Sequence, residues 1–308
     1  MPEQIGVSVC IFTFNYEKYI AQAIESVLMQ KTTFPVEIVI GDDCSTDKTR
    51  AIAIEYQKKF PEKIFLLFNE TNIGGTKNWL QTMNRCRGTF IALLDGDDYF
   101  TDENKLQKQF DMLEKDKQYV LSFHSVEEKY DDIKGHDKLV EFDKEEYVLE
   151  DLLRKGWFIR TGSTFFRNGV APKNPPEWVY DFPYRYDTIL HVFLCMHGKA
   201  INIKTPMSVW RKHSRGMSYV LLENAILNIE REIALYQQLN AHTNYKYAPA
   251  VKSYIAESLG NVFPTIIRSR KIFRYRNMLA KCLLKMDYSI VWATLKRGIT
   301  KRGKPATA

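Results

Sequence analysis

The 308-residue sequence predicts an α/β fold: a doubly wound, mostly parallel (mixed) sheet flanked by helices, with a helical C-terminal extension. Three observations predict it. Strand-like and helix-like patterns alternate from the N-terminus to about Thr101. The early strands are unbroken apolar runs, as expected where helices cover both faces of a sheet. From Leu221 onward, helical periodicity dominates.

"GVSVCIFTF" is the first buried strand, and "YIAQAIESVLMQ" follows with Ile20, Ile24, Val27 and Leu28 on one helical stripe. "VEIVIG" is the second strand. "STDKTRAIAIEYQKKF" is the second helix, with Ser45 or Thr46 as its expected cap. "KIFLLF" is the third strand, and "NETNIGGTKNWLQTMNRCRG" is a glycine-containing loop leading into the third helix. "TFIALL" is the fourth strand; Thr101 is the expected cap of the helix "ENKLQKQFDMLEKD". Residues 118–148 are charged and lack a clean period, which reads as a short strand with surface loops. "STFFR" and "KAINIKTPMSVW" are expected strands; the apolar helix "YDTILHVFLCMHG" between them should stop at Gly198 in the C′ position. His191 and His197 on this helix read as packing or satisfied polar residues.

Composition narrows the function classes. With 45% hydrophobic and 26% charged residues the chain is of ordinary globular type, and no apolar run reaches the roughly 20 residues that span a bilayer. The N-terminus shows no basic region ahead of an apolar stretch, so a cytoplasmic location is expected. Five scattered cysteines without a CxxC suggest neither a disulfide framework nor a structural zinc site. The net charge of +7 is concentrated between Arg268 and Lys304, where Asp287 is the single acid. There, Lys and Arg interleave with apolar residues, as in a basic amphipathic helix on an anionic membrane surface; a helix packed on the body with a solvated basic face fits equally. No nucleic-acid-binding module accompanies the charge, and no nucleic-acid partner is expected.

In an open parallel sheet, ligands bind beyond the carboxyl ends of the strands. Three polar clusters fall there: "TFN" (Thr13, Phe14, Asn15), "GDDCSTD" with Asp43, and "DGDD". Asp95, Asp97 and Asp98 crowd one small volume, and Gly96 allows the sharp turn between them. A hard divalent cation, Mn²⁺ or Mg²⁺, would relieve their repulsion and share its remaining positions with water and phosphate oxygens. Plain turn-forming acids are the competing explanation. A phosphotransferase with D-x-D after its strand fits poorly, because Tyr99 replaces the Thr or Val it needs. A dinucleotide-binding oxidoreductase lacks its G-x-G-x-x-G after the first strand.

"VSVCIFTFNYEKYIAQAIESVLMQ", "VEIVIGDDCSTDKT", "NETNIGGTKNW" and "GTFIALLDGDDYF" resemble, in order and spacing, the nucleotide-sugar-binding half of family 2 glycosyltransferases. "YDTILHVFLCMHGKAINIKTPMSVWRKHSRGMS" resembles the acceptor-side block of that family. The resemblance implies a GT-A-type inverting enzyme with residues 1–105 binding the nucleotide sugar, residues 106–220 binding the acceptor, and residues 221–308 forming a basic helical region. It implies a UDP-linked donor and a saccharide or lipid-linked acceptor in surface polysaccharide synthesis; a non-catalytic nucleotide-sugar or glycan-binding protein on the same fold is the alternative. On matching positions, Thr13, Phe14 and Asn15 would border the base. Asp43 would bind base or ribose, and Lys77 would sit near base or phosphates. Asp95, Gly96 and Asp97 would contact the donor, Asp97 and Asp98 would hold the metal, and Arg211 and His213 would lie over the diphosphate. Asp187 would be the general base, with a simple N-terminal helix acid as its competing role. Phe12 and Cys44 stand where the family commonly has Pro and Gly.

Overall fold

A computed structural model of the chain describes residues 4–217 and 225–268. The basic segment beyond Arg268, expected either to lie on a membrane surface or to pack on the body, lies outside the described residues. The chain divides into two compact units: one formed by Met1–Leu149 and Trp157–Tyr219, the other by Glu150–Gly156 and Val220–Ala308.

The first unit carries all the strands among the described residues. β1 (Val7–Thr13), β2 (Val36–Asp42), β3 (Ile64–Phe68) and β4 (Phe90–Asp95) alternate with α1 (Ile20–Leu28), α2 (Thr49–Lys59) and α3 (Gly75–Arg85). Then come β5 (Tyr99–Phe100), α4 (Lys105–Lys115), β6 (Tyr119–His124), β7 (Val126–Tyr130), β8 (Lys138–Val140) and β9 (Glu146–Tyr147). β10 (Phe165–Arg167), α6 (Tyr186–Cys195), β11 (Lys199–Ile203) and β12 (Ser208–Lys212) complete it. The large sheet has the order β3-β2-β1-β4-β10-β6-β11-β9, with β10 and β9 running against their neighbours. The mixed sheet flanked by helices agrees with the expected class. A smaller sheet has the order β5-β12-β7-β8.

β1 is buried along its whole length because helices cover both faces of the sheet. Ile20, Ala23, Ile24 and Val27 of α1 pack with Val7, Val9 and Ile11, and each buried branched side chain contributes about 1.5–3 kcal/mol. The register sets the ends of the strands level: Thr13 pairs with Asp42, and Phe12 with Asp95. Three sequence-distant polar clusters therefore meet at one sheet end.

Several local expectations are corrected. α2 begins at Thr49, not after Ser45 or Thr46, because the Ser45 hydroxyl is engaged with Asp42. Likewise α4 begins at Lys105; the Thr101 amide instead donates to the Met207 carbonyl at 3.0 Å, tying the segment to the smaller sheet. Residues 118–148 hold β6 to β9, where one short strand was expected. β7 hid from the pattern because Glu128 takes an inward, buried position while Glu127 and Lys129 pair outside at 3.1 Å. Lys199–Trp210 is two strands in different sheets, since Pro206 interrupts the ladder. α6 stops at Cys195, and Gly198 is not its left-handed cap. A Cβ there would lie 2.6 Å from the Gln118 carbonyl, so the glycine serves a close approach. His191 is buried and bonded to Thr164 Oγ1 at 2.9 Å, whereas His197 is exposed beyond the helix.

The second unit contains α5 (Leu149–Lys155), apart from its first residue, with α7 (Ala225–His242) and α8 (Ala248–Arg268). Tyr236 and Tyr254 pack at 4.0 Å between ring centres, and Leu235, Leu239 and Val251 are buried. No described helix is long and apolar enough to cross a membrane.

Lys105 is fully buried, with Nζ 2.7 Å from Gln109 Oε1 and 4.0 Å from the Phe100 ring centre. Burial pulls its pKa down to about 7. Between that value and the free-lysine range, the unfolded chain binds a proton that the native chain does not. Stability is therefore expected to rise with pH over this interval, by up to about 1.4 kcal/mol per unit. Lys105→Met should flatten the rise in urea denaturation between pH 7 and 9. An equal rise in both proteins would contradict it.

Candidate active site

The loop after β1 is held in place by the loop after β2. Asn15 adopts φ +58°, its amide donates to Ser45 Oγ at 2.8 Å, and its Oδ1 accepts from the Thr46 amide at 2.8 Å. Phe14, between these anchors, is 43% exposed, which leaves its ring available to a ligand. Asp42 is buried and paired with Arg50, so this first acid of the pair is structural. Asp43 is also buried; its carboxylate accepts from the Ile73 amide at 2.8 Å and the Gly74 amide at 2.9 Å. It thus ties the "NIGG" loop to the end of β2 and sets the start of α3, where Lys77 is exposed in the first turn.

The two departures from family usage have structural consequences. Phe12 is buried and stacked on Trp79 at 4.2 Å, packing β1 against α3. Cys44 sits at φ +64°, a left-handed conformation that glycine adopts without cost.

At the end of β4 the chain reverses tightly, with the Gly96 amide donating to the Phe12 carbonyl at 2.7 Å and the Asp98 amide to the Asp95 carbonyl at 3.0 Å. A Cβ on Gly96 would lie 2.9 Å from the Thr13 side chain, so the approach of the turn to β1 requires glycine. Burial, then the charge of Asp97, raises the Asp95 carboxyl well above the usual range. Asp98 is raised the same way, with Asp95 adding to the repulsion. This cluster favours positive charge.

Arg211 on β12 and His213 just after it reach this turn; β12 pairs with β5 through Ser208–Phe100 and Val209–Tyr99. The Arg211 amide donates to Asp98 Oδ1 at 2.8 Å, and its guanidinium reaches the Asp97 carbonyl and, at 2.7 Å, Gln22 Oε1. The guanidinium also lies over the Tyr19 ring at 4.6 Å and the Tyr99 ring at 5.0 Å. His213 is buried, with Nε2 2.9 Å from Asp97 Oδ2 and Nδ1 unpartnered. Tyr16, bonded to Asp97, has its phenol pushed up by burial and by the three carboxylates.

Asp187 opens α6 and is buried. Its Oδ1 accepts from the Thr188 amide at 2.7 Å, and Oδ2 accepts from the Trp157 indole. Burial raises its pKa above the ordinary carboxylate range, and its charge in turn acts on Asp95. Asp187 therefore faces the same volume as the "DGDD" turn. The sequence-predicted residues at the three strand ends, on β12 and at the start of α6 are thus brought together; Lys77 remains at the exposed rim.

Sequence reasoning missed Tyr16, Tyr19, Trp157, Arg160, Trp210 and Lys212. The Arg160 guanidinium lies 4.1 Å from the Trp157 ring centre and 4.3 Å from that of Trp210; Lys212 Nζ lies 3.4 Å from the latter. Strand alternation around Arg211 could have flagged Trp210 and Lys212, but nothing in the sequence marked Trp157 or Arg160.

No three His, Cys, Asp or Glu residues converge as a self-sufficient metal site among the described residues. The oxygen-rich pair Asp97 and Asp98 fits instead a hard cation completed by water and phosphate oxygens, in keeping with Mg²⁺ or Mn²⁺.

Comparison with known proteins places the chain in a family and a fold. An uncharacterised protein of Mycobacterium tuberculosis is 32% identical over 211 residues, or 68% of this chain. The chain spans 60% of the length of that relative. The Staphylococcus aureus poly(ribitol-phosphate) β-N-acetylglucosaminyltransferase TarS is 40% identical over 100 residues, covering 31% of this chain and 17% of TarS. A crystal structure of TarS residues 1–349 with UDP-GlcNAc superposes with a TM-score of 0.66 at 20% identity, covering 93% of this chain and 83% of that one. The Pyrobaculum calidifontis mannosyltransferase PcManGT, in complex with GDP-Man and Mn²⁺, has a TM-score of 0.51 at 14% identity, covering 97% of this chain and 90% of that one. Residues 8–171, which include the three strand-end clusters, match glycosyl transferase family 2, and to that family the chain belongs.

Proposed function

We propose that this chain is an inverting, metal-dependent glycosyltransferase that moves a sugar from a UDP-linked donor to a hydroxyl of a saccharide or lipid-linked saccharide in surface polysaccharide synthesis. The observation that carries the proposal is the buried Asp187, whose charge reaches Asp95 across the volume shared with the "DGDD" turn. One carboxylate is thereby set apart from the acidic turn, as single displacement requires.

Thr13, Phe14, Asn15 and Asp43 border the base and ribose, with Lys77 at the rim. Asp95, Gly96 and Asp97 contact the donor. Asp97 and Asp98 hold Mn²⁺ or Mg²⁺, which when bound neutralises the departing diphosphate. Arg211 adds positive charge, and Arg211 and His213 add hydrogen bonds, to the same oxygens. Asp187 removes the proton from the acceptor hydroxyl as it attacks the anomeric carbon from the opposite face. No second carboxylate nucleophile is needed, so the anomeric configuration inverts. Donor recognition falls to residues 1–105 and acceptor recognition to residues 106–220. The basic region beyond Arg268 supplies peripheral contact with the inner membrane face.

A panel of UDP-, GDP- and dTDP-sugars tests the proposal by thermal shift with and without Mn²⁺. A donor at a hundred times its Kd adds about 2.7 kcal/mol of stability. The expected result is a Mn²⁺-dependent rise with a UDP-sugar and slow hydrolysis of it. A flat response across the panel would overturn the assignment.

A further inference from the structure

Beside Asp187 stand two cations that no carboxylate neutralises directly. The Arg160 guanidinium occupies the corner between Trp157 and Trp210, whose rings meet nearly edge to face with centres 5.4 Å apart. Its single hydrogen bond among the described residues runs from Nη1 to the Phe158 carbonyl at 3.2 Å; Nε is buried and unpartnered. Lys212 is 9% exposed, rests its ammonium on Trp210, and makes no ion pair among the described residues. Glu128 and Asp187 act on Arg160 electrostatically, and Glu128 and Asp98 on Lys212, yet all three are otherwise engaged, Asp98 with the Arg211 amide. Glu128 accepts from Tyr130 Oη at 2.8 Å and lies 3.4 Å from Lys138 Nζ; Asp187 holds the Trp157 indole and the Thr188 amide.

Removing two cations from water without a direct ion pair is costly, and the indole faces offset only part of the cost. An arriving anion would offset more, because guanidinium presents five N–H donors of which one is used here. The position is equally informative. The Trp157 indole that borders Arg160 also donates to Asp187, so Arg160 flanks the proposed base, with Lys212 next to it across Trp210. Along β12, Trp210 and Lys212 project to one face and Arg211 to the other, toward Asp97 and Asp98.

We propose that Trp157, Arg160, Trp210 and Lys212 form an acceptor subsite for a phosphate or carboxylate carried by the acceptor saccharide, next to the hydroxyl that Asp187 deprotonates. The inference rests on the assignment of Asp187 as the base.

The test uses the full chain with saturating UDP and Mn²⁺, so that the diphosphate site is filled. Glucose 6-phosphate, glucuronate and glucose are titrated in turn while the indole N–H resonances of Trp157 and Trp210 are followed by NMR. At least one charged sugar should bind about tenfold or more tightly than glucose and move both resonances, with an affinity that falls as salt rises. Glucose 6-phosphate against glucuronate distinguishes a phosphate from a carboxylate ligand. Arg160→Gln and Lys212→Gln should each weaken that binding about tenfold, with UDP affinity changed by less than about twofold. Equal affinity for glucose and both charged sugars, or unmoved indole resonances, would overturn the proposal. So would a parallel loss of UDP affinity in the variants, which would assign both cations to the donor diphosphate. Should a variant fail to fold, the wild-type resonances and salt dependence still decide. Failure of wild-type UDP binding would instead strike the donor assignment, and the charged-sugar titration without UDP would then be read separately.

Discussion

Replacing Asp187 with Asn is expected to lower kcat by about 10²–10⁴, the range a positioned general base supplies, while leaving Mn²⁺-dependent UDP binding near its wild-type level. The substitution keeps the shape of a buried side chain and removes its capacity to take a proton. Both carboxylate oxygens accept hydrogen bonds, from the Thr188 amide and the Trp157 indole, and an amide can satisfy only one such donor through its oxygen. Loss of one bond costs about 1–3 kcal/mol. Against this, burial already disfavours the ionised carboxylate, so removing the charge returns part of that cost. A thermal midpoint measured alongside kcat separates the two effects. Because burial raises the native pKa above the unfolded value, ionisation of Asp187 as pH rises works against folding but produces the active base. The wild-type rate should therefore fall with acidification at a pH above the ordinary carboxylate range, and this limb should vanish in the variant. A variant rate within tenfold of wild type would place the base elsewhere.

Asp97→Asn is expected to lower kcat by about 10²–10³ and to abolish the strengthening of UDP binding by Mn²⁺. Asp97 joins two halves of the site: its carboxylate meets His213 at 2.9 Å and its carbonyl receives Arg211. Asparagine retains the carbonyl and can still hydrogen-bond the imidazole, so the β12 contacts survive while one negative charge leaves the cluster. Chelation of Mn²⁺ from the wild-type protein should reproduce the binding defect. Undiminished Mn²⁺-dependent tightening in the variant would remove Asp97 from the metal site.

The first half of the fold was legible because its strands are covered on both faces. Continuous apolar runs such as Val7–Thr13 announce buried parallel strands, and the glycines and acids at their ends announce the crevice. Legibility failed where one face meets solvent or where a polar residue takes an inward position. Buried Glu128 masked β7, and the boundary between β11 and β12 lay in Pro206, not in hydropathy. Helix starts were misplaced because Ser45 and the Thr101 backbone serve tertiary contacts ahead of the helices. Within the site, Asp43 was singled out as a ligand contact, and its part in tying the Ile73–Gly74 loop emerged only in three dimensions. Trp157 and Arg160 come from a segment with no periodic pattern. Their meaning depends on Trp210, some fifty residues later, and only folding brings these groups together.

On the proposed assignments, β12 would give the two substrates separate histories on one short strand. Arg211 looks toward Asp97 and Asp98, and Trp210 and Lys212 toward the proposed acceptor subsite, so substitutions at alternate positions would alter one partner and leave the other in place. On that reading, descendants of such a strand would exchange one acceptor for another while inheriting the donor chemistry intact. The insertion of a single residue would have the opposite outcome, turning every side chain to the wrong partner at once. Point substitution is open to this strand as a route to new specificity, and change of length is closed.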